Sequence, residues 1–316
     1  MPFSSQYYQF SLSALNRALY EVPALAAWQS FDPGDDMPVD ARYRAMPALT
    51  KADLRRHFPA GFVPRNQDIN AAISAGDVVV VPTSGTTDEC VMNLWHQPWW
   101  DASERASWQL HAVTRRSRLG AHREALLASA RNVGEIADDH DLPMAERRDG
   151  RFLFLNEKSS PSLWTPALCR RMLDELARFQ PAVLEANPAY LARLARFAAA
   201  CNTRVFQPSI IVLTFELPTA AALRAIRTVF TSPLCSSYGS TEMGYVFMQC
   251  EQGRFHQNSA FCRVDFMPFA AAHGGPLLGR MLVTPFNHPW CQYVRFDVGD
   301  MLRLNRDGRC ACGRDD

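Results

Sequence analysis

Apolar and polar residues recur with two different periods along this chain, and the changes of period mark its elements. Residues 1–75 carry brief apolar stripes broken by polar loops, which predicts short helices. Gly76-Asp77 is a turn signal, and the β-branched run Val78–Val81 after it predicts a buried strand stopped by Pro82. A polar loop follows from Thr83 to Asp88. The span from Asp101 to about Arg118 predicts a helix, and Arg151–Leu155 a strand. Between Pro166 and Phe179, Leu168, Met172, Leu173 and Leu176 recur at helical spacing. Asn187-Pro188 offers a capping side chain and then proline at the first helical position, and Leu191, Leu194 and Phe197 continue the stripe. Ile210–Leu213 predicts a strand and Thr219–Phe230 a helix. Strand and helix thus alternate through the middle, which predicts an α/β class with helices packed on a sheet. The last third has short apolar runs interrupted by glycine, proline and polar residues, and predicts a smaller β-rich lobe. No linker divides the chain, so we expect an α/β part over about residues 1–240 and the lobe over about 241–316.

Composition narrows the function classes. With 33 basic and 32 acidic residues, the chain has no net field that would draw nucleic acid or an anionic membrane. No apolar run reaches the length of a membrane span, and the N-terminus lacks a basic stretch followed by an apolar core. Nine cysteines, an odd number without an export signal, predict reduced thiols in a cytoplasmic protein. The only lysines are Lys51 and Lys158, against 31 arginines. Almost no amine is therefore available for chemistry.

Four segments carry candidate chemistry. Thr83, Ser84, Gly85, Thr86 and Thr87 form a hydroxyl-rich loop after a strand, where glycine lets backbone N–H groups approach an anionic phosphate. It is not a Walker A loop. Ser236-Ser237-Tyr238-Gly239-Ser240-Thr241-Glu242 follows a predicted strand. Val294-Arg295-Phe296-Asp297-Val298-Gly299-Asp300 comes next, and Gly313-Arg314-Asp315-Asp316 ends the chain. Cys250 and His256 lie six apart, with Cys310-Ala311-Cys312 near the end. Cysteine and histidine sets with such spacings suit tetrahedral Zn²⁺. Cys262 and Cys291 show that cysteine is common here, so four unrelated residues is the competing reading.

In this order, TSGTT, YGSTE, Gly299-Asp300 and Gly313-Arg314 resemble the motif set of the acyl-adenylate-forming superfamily of acyl-CoA synthetases, non-ribosomal adenylation domains and luciferases. The resemblance covers roughly residues 75–316 and is nearest to the phenylacetate-CoA ligase branch, which carries a C-x-C before the final Gly-Arg and holds zinc sites of this kind. It implies the superfamily's N-terminal core fold. It also implies ATP-dependent activation of a carboxylic acid to acyl-AMP and pyrophosphate. By the same resemblance Tyr238 stacks on adenine, with Ser237 and Gly239 beside it. Thr241 meets the α-phosphate and Glu242 holds Mg²⁺. Asp300 and Arg314 reach the ribose. Thr83–Thr87 cover the pyrophosphate. Glu216 falls where the family has a Gly-Gly-Glu turn, but Thr214 and Phe215 replace both glycines.

Two departures stand out. After the threonines the family continues Gly-x-Pro-Lys, whereas this chain has Asp88-Glu89-Cys90. Family members also run on into a mobile lid domain bearing a lysine. This chain stops at Asp316, neither of its lysines lies in a matching motif, and a core without the C-terminal domain is expected. The aromatic cluster Trp95, Trp99, Trp100 and Trp108 offers either the wall of an aromatic-acid pocket or plain core, and His96 reads as a hydrogen-bonded structural residue. The function expected is adenylation of an aromatic or similar acid in a biosynthetic pathway. The acyl group would pass to a partner reductase, acyltransferase or carrier protein. The alternatives are a CoA ligase continuing beyond Asp316 and a non-catalytic nucleotide-binding module.

Overall fold

The computed structural model describes residues 3–83, 91–116, 121–130, 141–269, 277–304 and 309–314. The chain opens with α1 (Ser5–Glu21), α2 (Val39–Ala45), α3 (Lys51–His57), α4 (Ile69–Ala75), β1 (Val79–Pro82), β2 (Met92–Trp95) and α5 (Gln97–Ser107). Then come β3 (Glu124–Leu127), β4 (Arg148–Asp149), β5 (Phe152–Phe154), α6 (Pro166–Phe179), β6 (Val183–Ala186), α7 (Pro188–Ala200), β7 (Ile210–Leu213) and α8 (Ala220–Arg227). It closes with β8 (Leu234–Ser240), β9 (Gly244–Gln249), β10 (Phe255–Gln257), β11 (Cys262–Pro268), β12 (Leu278–Pro285) and β13 (Phe296–Arg303). These elements form two compact units. The first comprises Met1–Ser107, Gly239–Phe247 and His256–Asp316, and the second Trp108–Tyr238 and Met248–Phe255.

In the first unit, Ser4 caps α1 by accepting the Tyr7 N–H at 3.2 Å, and the helix buries Tyr7, Ala14, Leu15, Ala18 and Leu19. At 17 residues it is longer than the short helices expected. A reciprocal capping box starts α3: Thr50 Oγ1 accepts the Asp53 N–H, and Asp53 accepts the Thr50 N–H. The valine run does form a strand, but not a buried one. β1 pairs antiparallel with β2 in a two-stranded ribbon, leaving Val79 53% exposed while Val78 is buried. The helix expected at Asp101–Arg118 starts earlier and ends at Ser107. There the Ser107 hydroxyl donates to the Glu104 carbonyl at 2.8 Å, and just beyond it the Thr114 hydroxyl donates to that of Trp108. Such side-chain bonds compete with the helical ladder. β11, β12 and β13 form an antiparallel sheet with an irregularity at Arg280–Leu282.

The second unit is the α/β part. Within an eight-stranded sheet, β8-β7-β6-β3-β5 run parallel and β4 is antiparallel at the edge. Successive side chains point to opposite faces of a strand, and this divides the core in two. Ala125, Leu127, Leu184, Ala186, Ile211 and Leu213 pack with Leu168, Met172, Leu173 and Leu176 of α6 and Leu191 and Leu194 of α7. Val183, Ile210, Val212 and Cys235 pack with Trp108 and Met248 on the other face. Strands buried on both faces read as unbroken apolar runs, as Ile210–Leu213 does. Each buried leucine contributes about 1.5–3 kcal/mol. The α/β class expected from the alternation is the class found. Among the described residues no helix is long and apolar enough to cross a membrane.

Candidate functional site

The YGSTE segment does not merely follow a strand; β8 runs through Tyr238 and Gly239 to Ser240. Backbone contacts then close a tight loop. The Met243 N–H donates to the Ser240 carbonyl at 3.0 Å. A Cβ at Gly239 would sit 2.5 Å from the Gly244 carbonyl oxygen, so only glycine fits. Gly244 takes φ +69°, and a Cβ there would meet Ser103 Oγ at 2.8 Å. Ser103 Oγ in turn accepts the Tyr245 N–H at 3.3 Å and donates to the Trp100 carbonyl.

Asn93 of β2 holds this loop from below. Its Nδ2 donates to the Thr241 carbonyl at 2.8 Å, and its Oδ1 accepts from the Tyr293 hydroxyl at 3.1 Å. Asn93 is 2% exposed. The sequence reading missed it, and its only signal was a polar residue at a buried position of a short strand. The Thr241 side chain stays partly exposed, while Glu242 is buried.

Glu242 makes no ion pair among the described residues. Burial pushes its carboxyl above the usual carboxylate range. The Ser240 hydroxyl, its own backbone N–H and the charge of Lys51 oppose that shift, and Asp300 adds to it. Asp300 lies on an exposed stretch of β13 next to Gly299, which takes φ +89° and whose N–H donates to Asp297 Oδ1 at 3.1 Å. The same strand receives the segment before α3. The Leu49 N–H donates to the Arg295 carbonyl at 3.0 Å, and the Asp297 N–H to the Leu49 carbonyl at 2.8 Å. Thr241, Glu242, Asp300 and the expected phosphate-loop residue Thr83 all belong to the first unit. Ser84, Gly85, Thr86 and Thr87 lie outside the described residues.

Three expected zinc ligands also meet in the first unit. The ligand atoms of His256, Cys310 and Cys312 lie within 4.8 Å of one another, with His256 Nε2 3.3 Å from Cys312 Sγ. A turn in which the Gly313 N–H donates to the Cys310 carbonyl at 2.9 Å presents both thiols, and Arg314 follows it directly. Cys250 stands six residues before His256, at the turn where its N–H donates to the Arg254 carbonyl. Thiolate and imidazole donors of this kind fit Zn²⁺.

The second unit carries Glu216, Ser237 and Tyr238. Glu216 is exposed and its Oε1 accepts the Ala189 N–H at the start of α7. Phe215 before it takes φ +74°, the conformation that a glycine adopts without strain. Ser237 is buried and its hydroxyl has no hydrogen-bond partner among the described residues, and Tyr238 is half-buried. The tryptophans divide. Trp99 is buried, donates to the Phe286 carbonyl at 2.9 Å and packs on His288 and Phe261. Trp108 belongs to the sheet core. Both are packed as core. Trp95, Trp100 and Tyr245 pack as tilted ring pairs with centroids 4.4 and 5.1 Å apart, and the two tryptophans remain partly exposed. His96 Nδ1 accepts the Trp99 N–H, the structural role expected.

No protein-family model and no curated protein sequence matches the chain. Solved structures do. 2-Hydroxyisobutyryl-CoA ligase, in complex with 2-HIB-AMP and CoA in the thioesterification state, superposes with a TM-score of 0.69 at 17% identity, over 98% of this chain and 65% of that one. An open conformation of that ligase gives 0.66 at 15% identity, over 95% and 69%. Its postadenylation state with 2-HIB-AMP gives 0.64, over 96% and 63%. At these identities the likeness is one of fold, and the chain spans about two thirds of that ligase. Along nearly its whole described length, this chain is folded like the corresponding part of 2-hydroxyisobutyryl-CoA ligase.

Proposed function

We propose that this chain activates a small carboxylic acid by adenylation. One observation carries the reading: a buried carboxylate with no ion pair among the described residues, Glu242, is presented by a tight Tyr-Gly-Ser-Thr-Glu loop near Asp300, in a fold like that of a ligase solved with an acyl-AMP. A carboxylate oxygen of the acid attacks the α-phosphorus of ATP. The bond to the bridging oxygen of pyrophosphate breaks, pyrophosphate leaves with the electron pair, and acyl-AMP remains. Two anions must meet, so the site must neutralise charge where it grows.

The roles follow the motifs. Thr241 hydrogen-bonds the α-phosphate from a loop that Asn93 fixes. Tyr238 stacks on adenine with Ser237, Gly239 and Glu216 around it, Asp300 and Arg314 hold the ribose, and Thr83–Thr87 cover the pyrophosphate. Glu242 would hold Mg²⁺. A hard oxygen donor with no ion pair among the described residues fits that cation, which when bound supplies electrostatic stabilisation to the phosphoryl oxygens. Cys250, His256, Cys310 and Cys312 would hold a structural Zn²⁺, fixing the segment that carries Arg314. The cluster of Trp95, Trp100 and Tyr245, whose two tryptophans are partly exposed, favours an aromatic acid. In a biosynthetic setting in the cytoplasm, a reductase, acyltransferase or carrier protein would accept the acyl group. That the ligase sharing the fold was solved with CoA supports CoA as a second candidate acceptor.

Acid-dependent exchange of labelled pyrophosphate into ATP, run with Mg²⁺ and a panel of aryl and short hydroxy acids, tests this. The reading predicts label in ATP only when an acid is present. ATP binding without exchange for any acid argues against it.

A further inference from the structure

The chain has two lysines, and the fold gives them opposite fates. Lys158 is buried, with its ammonium 2.8 Å from Asp141 and 3.8 Å from Glu157. Those charges belong to a network in which Arg171 also grips Glu157 and Arg147 grips Glu175. Lys158 is committed to holding the second unit together. Lys51 is half-exposed, and its ammonium makes no hydrogen bond or ion pair among the described residues.

Its position is nonetheless fixed. Leu49 is stitched to β13 by the two backbone hydrogen bonds to Arg295 and Asp297. The capping box of Thr50 and Asp53 then sets the first turn of α3, so Lys51 emerges at a defined place. That place is above Gly299. A Cβ on Gly299 would lie 3.8 Å from Lys51 Nζ, the one contact within 4 Å among the described residues other than its chain neighbours. The neighbouring Asp300 and the buried Glu242 are the acids of the candidate site, and Glu242 feels the charge of both Lys51 and Asp300. An ammonium with no ion pair among the described residues, close to Gly299 and felt by Glu242, is a cation that an anionic ligand can engage. A solely structural lysine would be expected to close an ion pair, as Lys158 does.

We propose that Lys51 contacts the polyphosphate of the bound nucleotide, neutralising charge as the acid's carboxylate meets the α-phosphate. The proposal rests on the adenylation reading for its choice of ligand. No bond to Lys51 forms or breaks in this step. Substituting it leaves the backbone pairing of Leu49 and the capping box in place.

Calorimetry with ATP and Mg²⁺ and acid-dependent pyrophosphate exchange are run on the intact chain, Lys51→Met, Lys51→Arg and Asp53→Ala. Lys51→Met is expected to weaken ATP binding about tenfold or more and to lower the exchange kcat about 10²-fold. Lys51→Arg, which keeps the charge, should stay within about threefold in binding. Asp53→Ala loosens the helix start that sets Lys51 while keeping the ammonium, and should weaken binding clearly less than Lys51→Met does. Binding by Lys51→Met within about threefold of the parent overturns the proposal, as does an equal loss in Asp53→Ala. If the parent binds ATP but exchanges with no acid, the adenylation reading falls, and the binding ratio alone decides for or against Lys51. If the parent binds no ATP, both fall.

Discussion

Glu242 is 6% exposed and faces no counter-ion among the described residues, so keeping it ionised costs desolvation energy that no neighbour fully offsets. A residue kept at a cost to the fold is one whose charge is needed by something that binds there. Glu242→Gln removes the charge with little change of shape. It is expected to hold or raise stability by about 1 kcal/mol, read by urea denaturation, while lowering the exchange kcat by about 10²–10³. Unchanged exchange would remove Glu242 from the reaction. His288 is a second buried group with a readable consequence. It is 2% exposed, its Nδ1 accepts the N–H groups of Trp290 and Cys291, and burial pushes its pKa down to about 3. An unfolded histidine titrates near 6.5. As pH falls from about 6.5 to about 3, the unfolded chain binds a proton that the folded chain refuses, so stability drops by about 1.4 kcal/mol per pH unit from this group. His288→Gln should flatten that slope in a series of denaturation curves. An unaltered slope would show that other groups set it.

At the scale of elements, the YGSTE loop is a backbone device as much as a set of side chains. Gly244→Ala forces a Cβ against Ser103 Oγ at 2.8 Å and onto a left-handed φ. It is expected to cost about 2 kcal/mol or more and to weaken ATP binding. A variant as stable as its parent would show that the loop relaxes freely. The motif was legible in sequence because its residues are contiguous, and so were the ends of α6 and α7, which local caps define. Thr165 accepts the Leu168 N–H, and Asn187 accepts those of Ala189 and Tyr190. β6 was not legible. It has only four residues and includes Glu185, and neighbours distant in sequence decide its burial. β1 was read with the wrong burial because a valine run reports propensity, not what covers it. Phe215 shows the converse limit. Thr214 and Phe215 replace the two glycines that the resemblance leads one to expect, yet the backbone takes a positive φ at Phe215 without them.

Across the whole molecule, distant segments make the arrangement. The first unit is assembled from three stretches of chain, and the pairing of Leu49 with Phe296 joins residues that no local pattern connects. Hence Lys51 and Asn93 carried no readable signal of their proximity to Thr241, Glu242 and Asp300. The cysteines did, through spacing alone. If His256, Cys310 and Cys312 act with Cys250, the purified chain should contain about one equivalent of zinc, measured by elemental analysis. Chelation or Cys312→Ser should then lower the thermal midpoint. Metal-free protein with an unchanged midpoint would leave these residues as ordinary thiols and imidazole.

The central claim is that a carboxylate attacks the α-phosphorus of ATP. Its most direct test supplies an accepted acid labelled with heavy oxygen in its carboxylate and analyses the AMP released, after transfer or hydrolysis at the acyl carbon, by mass spectrometry. The account predicts one labelled oxygen in that AMP. Unlabelled AMP, formed while the acid is consumed, would contradict it.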